Sequence, residues 1–134
     1  MKTRRVESIK AWQLADDLAV AIYALTKRFP REEIYGLVSQ IRRAAASVPA
    51  NIAEGAARIS SREYLHFLSI ARGSLTELRY YLHLGKRLGY ILDERYREVD
   101  GLADETARVL HGLMQSVDTR AEPKADVWSL KSGV

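Results

Sequence analysis

Apolar side chains recur every three or four positions along most of the chain, which predicts four amphipathic helices and no strand. The first spans about 8–29, with Ser8 as its N-cap, Trp12, Ala15, Leu18, Ile22, Leu25 and Phe29 on one face, and Pro30 as its stop. The second spans about 36–58 and turns Leu37, Ile41, Ala45, Val48, Ile52 and Ile59 inward. Pro49 lacks the N–H that would bond to the carbonyl of Ala45, so a kink or a restarted turn is expected there, helped by the capping-box spacing of Asn51 and Glu54. The third, 61–88, opens on a capping box with Ser60 as N-cap and Glu63 three residues on, and closes at Gly89. The fourth, 93–118, starts on Asp93 and Glu94, which suit the positive end of a helix, and carries Tyr96, Val99, Ala103, Thr106, Leu110, Leu113 and Val117. Short connections between long helices force neighbours to run antiparallel, so residues 1–118 are expected to form an all-α, up-down-up-down four-helix bundle. Residues 119–134 then form a short irregular tail, in which Val127, Trp128 and Leu130 make an apolar cluster that either docks on a bundle or stays free.

The third helix is apolar over more of its circumference than one core requires. Tyr64, Leu68, Ala71, Leu75, Leu78 and Leu82 form one stripe, and Phe67, Ile70, Ser74, Tyr81, Gly85 and Leu88 a second beside it. Together they cover roughly 160°, against the ~100° that faces a core in an ordinary surface helix. The surplus suggests a subunit interface formed by Phe67, Ile70, Ser74, Tyr81 and Leu88, and the alternative is a central helix in a wide monomeric core.

Charge changes the picture next. The 134-residue chain has a net charge of +4, unevenly spread: residues 1–92 hold 15 basic and 8 acidic side chains, residues 93–118 hold 3 and 7. Such asymmetry serves either a polyanion or the pairing of complementary faces. On the far side of the third helix Arg72, Arg79, His83 and Lys86 form a stripe about 21 Å long with no acid inside it. That is a candidate for tracking phosphates, to which Arg42 and Arg43 of the second helix are added; the alternatives are a solvated face or pairing with Glu98, Asp104 and Glu105. The second helix carries its own polar line through Gln40, Arg43, Ser47, Asn51, Glu54 and Arg58. Glu54 stands among small side chains and is expected to need a partner such as Arg43, Arg58 or Arg72, so Asn51 and Glu54 read as a structural polar network rather than as a general base.

The chemistry that would make an enzyme is mostly missing from the sequence. There is no Cys, hence no thiolate metal site or cysteine nucleophile, and a reducing cytoplasmic setting is expected. One Glu-x-x-His pair, Glu63 with His66, falls short of the two that a di-iron bundle needs. No phosphate loop, nucleophile elbow, zinc-helix motif or dinucleotide fingerprint is present, so no metal, cofactor or catalytic residue is expected. Lys2, Arg4 and Arg5 precede no apolar run, and the stretch Leu18 to Leu25 is too short for a membrane span, so neither a secretion signal nor a membrane anchor is expected.

Several runs carry a family resemblance: Trp12 with Ala15 and Leu18, Ile22-Tyr23-Ala24-Leu25-Thr26-Lys27, Tyr35-Gly36-Leu37 with Gln40-Ile41-Arg42-Arg43-Ala44-Ala45, Val48-Pro49-Ala50-Asn51-Ile52-Ala53-Glu54-Gly55, and Ile70-Ala71-Arg72-Gly73-Ser74-Leu75-Thr76-Glu77-Leu78. They resemble the four-helix-bundle proteins first noted as reading frames within intervening sequences of bacterial 23S rRNA genes. The resemblance covers about residues 8–92 closely and the fourth helix in hydrophobic pattern alone. It implies a cytosolic bundle that assembles into a ring-like homopentamer without catalytic activity. Distant relatives serve diversity-generating retroelements as accessory subunits that engage a reverse transcriptase and nucleic acid. The expectation is a non-enzymatic homo-oligomer that binds structured RNA, or DNA, without reading sequence; the alternative is an oligomeric adaptor for a protein partner.

Overall fold

A computed structural model describes residues 5–121, and over that range the protein is a bundle of four helices. They are α1 (Lys10–Thr26), α2 (Ser39–Ala56), α3 (Ser61–Arg87) and α4 (Asp93–Ala121). Each packs on two neighbours in the cyclic order α1, α2, α3, α4, so that α2 and α4 lie diagonally across the core. The core is the one that the spacing demands. All six residues of the first α3 stripe are buried, and they meet Leu18 and Ile22 of α1, Ile41, Val48 and Ile52 of α2, and Val99, Leu110 and Val117 of α4. Each such aliphatic side chain contributes about 1.5–3 kcal/mol by leaving water. Met114 is buried on α4, whereas Leu113 and Tyr96 are only partly so.

The ends of α3 follow their signals. Ser60 Oγ accepts the Glu63 N–H at 3.0 Å. At the other end Gly89 takes φ 80°, a left-handed conformation that costs glycine little. The N–H of Gly89 bonds to the Lys86 carbonyl and that of Tyr90 to the Gly85 carbonyl at 2.9 Å, which closes the last turn as a Schellman motif.

Five expectations need correction. Ser8 does not cap α1: it lies in a short 3-10 turn (Val6–Ser8), its hydroxyl donates to the Arg5 carbonyl at 2.7 Å, and Ile9 occupies the cap position without a side-chain bond. The first helix also stops at Thr26, although Phe29 beyond it is buried against Tyr90. Pro49 does not restart α2, which runs from Ser39 to Ala56 with the proline inside. Asn51 therefore caps nothing and donates its amide to Ser47, both to the carbonyl at 2.8 Å and to the hydroxyl at 2.9 Å. Ile59 falls after the end of α2 and is 79% exposed. At the far end α4 continues to Ala121, and the Val127, Trp128 and Leu130 cluster lies outside the described residues.

The connection between α1 and α2 is itself structured. A 3-10 turn (Arg31–Glu33) leads into a π turn (Ile34–Val38), broken at Gly36. Glu33 pins it: one carboxylate oxygen accepts the Leu37 N–H at 3.3 Å and the other accepts the Tyr90 hydroxyl at 3.0 Å. That second bond holds the Tyr90 phenol proton and is the main reason its pKa is raised above the ordinary tyrosine value, with burial adding to it. Leu37 and Val38 turn into the core, and the ring of Tyr35 is left 97% exposed.

Candidate nucleic-acid interface

The basic stripe of α3 lies along the seam with α4, and the acids of α4 meet it. The Arg79 guanidinium reaches Asp100 at 3.2 Å and Asp104 at 3.6 Å, and Arg108 shares Asp104 at 3.3 Å. Of the three partners expected from sequence, Asp104 is used, Glu98 pairs with Arg95 at 2.7 Å and Glu105 is in none of these ion pairs, whereas Asp100, which is used, was not expected. The Lys86 ammonium sits 4.7 Å above the Tyr96 ring, and His83 lies 6.3 Å from the Tyr80 ring. Arg72 is exposed at a shallow groove that it shares with His111 and Asp118. Along the stripe Arg79 is thus paired with acids, Lys86 and His83 lie against rings, and Arg72 is exposed.

The second α3 stripe and the polar line of α2 run side by side in opposite directions and make one outer face. Along it the Tyr81 hydroxyl donates to Gln40 Oε1 at 2.7 Å, and the Ser47 and Ser74 hydroxyls share a bond of 2.8 Å. Further along, Arg58 pairs with Glu54 at 2.6 Å and lies 4.8 Å above the Phe67 ring. Glu54 thus takes Arg58, one of its three expected partners, while Asn51 bonds to Ser47, so the two are not joined in one network. Phe67, Ser74 and Tyr81 are half-buried on this face, and Ile70 and Leu88 are 40% and 50% exposed.

A different concentration of charge lies at the α1–α2 hairpin. A cleft of about 630 Å³ opens there, with Lys27, Arg31, Arg42 and Arg43 around it, and Tyr23 and Tyr35 on its walls. No Asp, Glu or His is among its lining residues. Glu32 and Glu33 lie between the lining residues Arg31 and Ile34 in sequence: Glu33 is turned away to Leu37 and Tyr90, and Glu32 is exposed outside the lining. Arg42 is fixed: its Nε donates to Thr26 Oγ1 at 2.9 Å, a terminal nitrogen donates to the Tyr23 carbonyl at 3.3 Å, and the guanidinium lies 4.7 Å from the centre of the Tyr23 ring. It serves the last carbonyls of α1, where a cation is favoured. Arg43, one turn-face away, is exposed.

Of the six basic residues singled out from sequence, the cleft gathers Arg42 and Arg43 and leaves Arg72, Arg79, His83 and Lys86 on the α3–α4 side. Sequence reasoning missed Lys27, Arg31, Tyr35 and Tyr23 as site residues. The signal lay in the cations on both sides of Pro30, which an antiparallel hairpin folds back toward Arg42 and Arg43.

The sequence profile of the 23S rRNA-intervening sequence proteins matches residues 7–112 of this chain. The chain belongs to that family. The match takes in all of α1, α2 and α3 and most of α4, so the family likeness reaches further into the last helix than the close resemblance over 8–92 suggested. A crystal structure of a protein of unknown function from the S23 ribosomal protein family of Bacteroides thetaiotaomicron superposes with a TM-score of 0.73 at 27% identity, covering 78% of this chain and 95% of that one. No curated protein matches the chain. The shared architecture is the four-helix bundle, and among the described residues no helix is long and apolar enough to cross a membrane. No three His, Asp or Glu side chains gather into a metal-binding group among those residues.

Proposed function

We propose that this member of the 23S rRNA-intervening sequence protein family is a non-enzymatic homo-oligomer that binds structured RNA through its phosphates. The observation that carries the reading is the acid-free cleft with four cations at the α1–α2 hairpin. Phosphate recognition needs clustered Lys and Arg with hydroxyl or aromatic neighbours and little competing negative charge, and the cleft meets each condition. Its lining offers no carboxylate or imidazole to move a proton, which favours binding over catalysis. The outer α2–α3 face, with Ile70 and Leu88 open to solvent and Phe67 and Tyr81 half open, supports self-association, and a ring of five is the assembly the family resemblance implies. Repetition of the cleft around a ring would convert weak single contacts into avid binding.

Titration of a fluorescent structured RNA across salt concentrations tests this. Affinity is expected to fall steeply with salt, and the variant Lys27→Ala/Arg31→Ala/Arg43→Ala to lose about one unit of salt slope for each phosphate contact removed. If the wild type shows no binding at low salt, the protein is an adaptor and the reading fails. If Arg72→Ala/Arg79→Ala abolishes binding while the triple variant does not, the surface lies on α3 instead.

A further inference from the structure

We infer that the cleft takes an unpaired nucleotide, with its base stacked on Tyr35 and its phosphates held by Lys27, Arg31 and Arg43, so that single-stranded segments and loops are the preferred RNA. This rests on the RNA-binding reading and adds the class of RNA bound. Three features of the cleft carry it.

The first is Tyr35 itself. With 97% of its surface exposed, the ring stabilises nothing in the subunit, and both of its π faces are free. A bulky aromatic held out in water by a π turn is what a stacking platform requires, and π turns recur at functional sites. Its position is set by the fold, because Glu33 bonds both to Leu37 N–H and to Tyr90 and so holds the turn on either side of the ring.

The second is another part of the lining. Arg42 and Tyr23 form a stacked pair 4.7 Å apart, and the two hydrogen bonds that Arg42 donates to α1 hold the guanidinium plane. A guanidinium held in this way is a flat, positively charged plate on which a base can lie. Arg42 is then a positioning and stacking residue, and the phosphates fall to the other three cations.

The third is shape. The cleft is concave, and its ~630 Å³ falls within the roughly 300–1,000 Å³ of small-ligand sites. A nucleotide with its base turned out can enter such a space. In an A-form duplex the bases are stacked inside and the surface offers riboses and phosphates, which would reach the rim charges and leave Tyr35 idle. An acidic peptide would satisfy the cations but has no use for two aromatic walls.

The test compares a short fluorescent oligouridine with a short RNA duplex by anisotropy, using the full-length protein, Tyr35→Ala, Tyr35→Phe and the Lys27/Arg31/Arg43 alanine variant. The expected result is tighter binding of the single strand, a loss of roughly tenfold or more for it in Tyr35→Ala, retention in Tyr35→Phe, and no change for the duplex. Because Tyr35 makes no packing contact, its removal should leave the melting temperature and the oligomeric state unchanged. Equal loss of duplex and single strand in Tyr35→Ala, or no loss of either, overturns the stacking role while the salt-dependent binding stands. Change of the oligomer in Tyr35→Ala makes the ring a subunit contact and also overturns it. Displacement of the oligouridine by polyglutamate as readily as by unlabelled oligouridine makes the cleft a site for acidic peptide. Binding of neither RNA by the wild type removes the RNA-binding reading itself.

Discussion

Replacing Gly55 by alanine should destabilise this protein, although the same change stabilises an ordinary helix. A Cβ at Gly55 would stand 2.9 Å from Phe67 Cβ, 2.9 Å from Tyr64 Cδ1 and 3.1 Å from the Tyr64 carbonyl oxygen. Real Cβ atoms essentially never come as close as the first two, and the third neighbour is backbone, so a side-chain rotation cannot relieve the contact. Helices α2 and α3 must move apart, and overpacking of this kind costs about 1–3 kcal/mol. Removing a glycine from a helix interior returns up to ~1 kcal/mol through the unfolded state, which leaves a net loss of about 1–2 kcal/mol. Gly101 and Gly112 of α4 are the controls, since a Cβ there meets nothing within 4 Å and only the helix-propensity gain remains. Urea unfolding followed by circular dichroism at one fixed protein concentration reads the difference, because oligomer stability varies with concentration. With a slope of ~1.5 kcal/mol/M, Gly55→Ala should lower the midpoint by about 1 M, whereas Gly101→Ala and Gly112→Ala should raise it by about half as much. Gly55 also lies behind the outer face where Arg58 covers Phe67, so self-association measured by light scattering should weaken with it. A midpoint for Gly55→Ala that rises with the controls would refute the close approach of the two helices.

The ion pairs of Arg79 are one-third to one-half exposed, so Arg79→Ala should cost under ~1 kcal/mol in urea unfolding and leave RNA affinity within about twofold. Arg42→Ala should cost about 1–2 kcal/mol in the same assay, because Thr26 Oγ1 and the Tyr23 carbonyl lose a charged donor, and Arg42→Lys should restore little of it. The bond to Glu33 raises the Tyr90 pKa, so the folded state holds the phenol proton more tightly than the unfolded state does, and stability from this bond is full below about pH 10 and lost as pH climbs through the raised value. Melts across that range should show the advantage of the wild type over Tyr90→Phe shrinking above about pH 10; an advantage that grows there would reverse the sign of the argument.

What was legible in the sequence was whatever repeats with the helix. The first α3 stripe is apolar at consecutive helical spacings, and every member of it is buried. Ser60, Glu63 and Gly89 marked the ends of α3 because caps are read from a few adjacent residues. The start of α2 was not legible at this level. Tyr35-Gly36 looked like a helix opening, and only the bonds from Glu33 to Leu37 and to Tyr90, the latter far away in the chain, make it a π turn that expels Tyr35. The restarted turn allowed for at Pro49 does not form, for a related reason: a missing N–H can break an isolated helix, whereas here Pro49, Val48 and Ile52 are buried in one continuous α2.

The same distinction explains where the free positive charge ends up. From sequence, the acid-free row on α3 came first, and Arg42 and Arg43 of the second helix were added to it. Packing reverses that order. The acidic helix α4 lies against α3 and α1, so Asp100 and Asp104 are brought to Arg79, and the row loses its most central charge. Helix α2 lies diagonally from α4, and exposed charges are screened beyond ~10 Å at ordinary salt. The hairpin collects Arg43 of α2 with Arg42, Arg31 and Lys27 around a single cleft whose lining holds no acid. A net charge of +4 becomes useful to a polyanion because the chain sets its acidic helix diagonally from α2 and leaves the lining of the hairpin cleft without an acid.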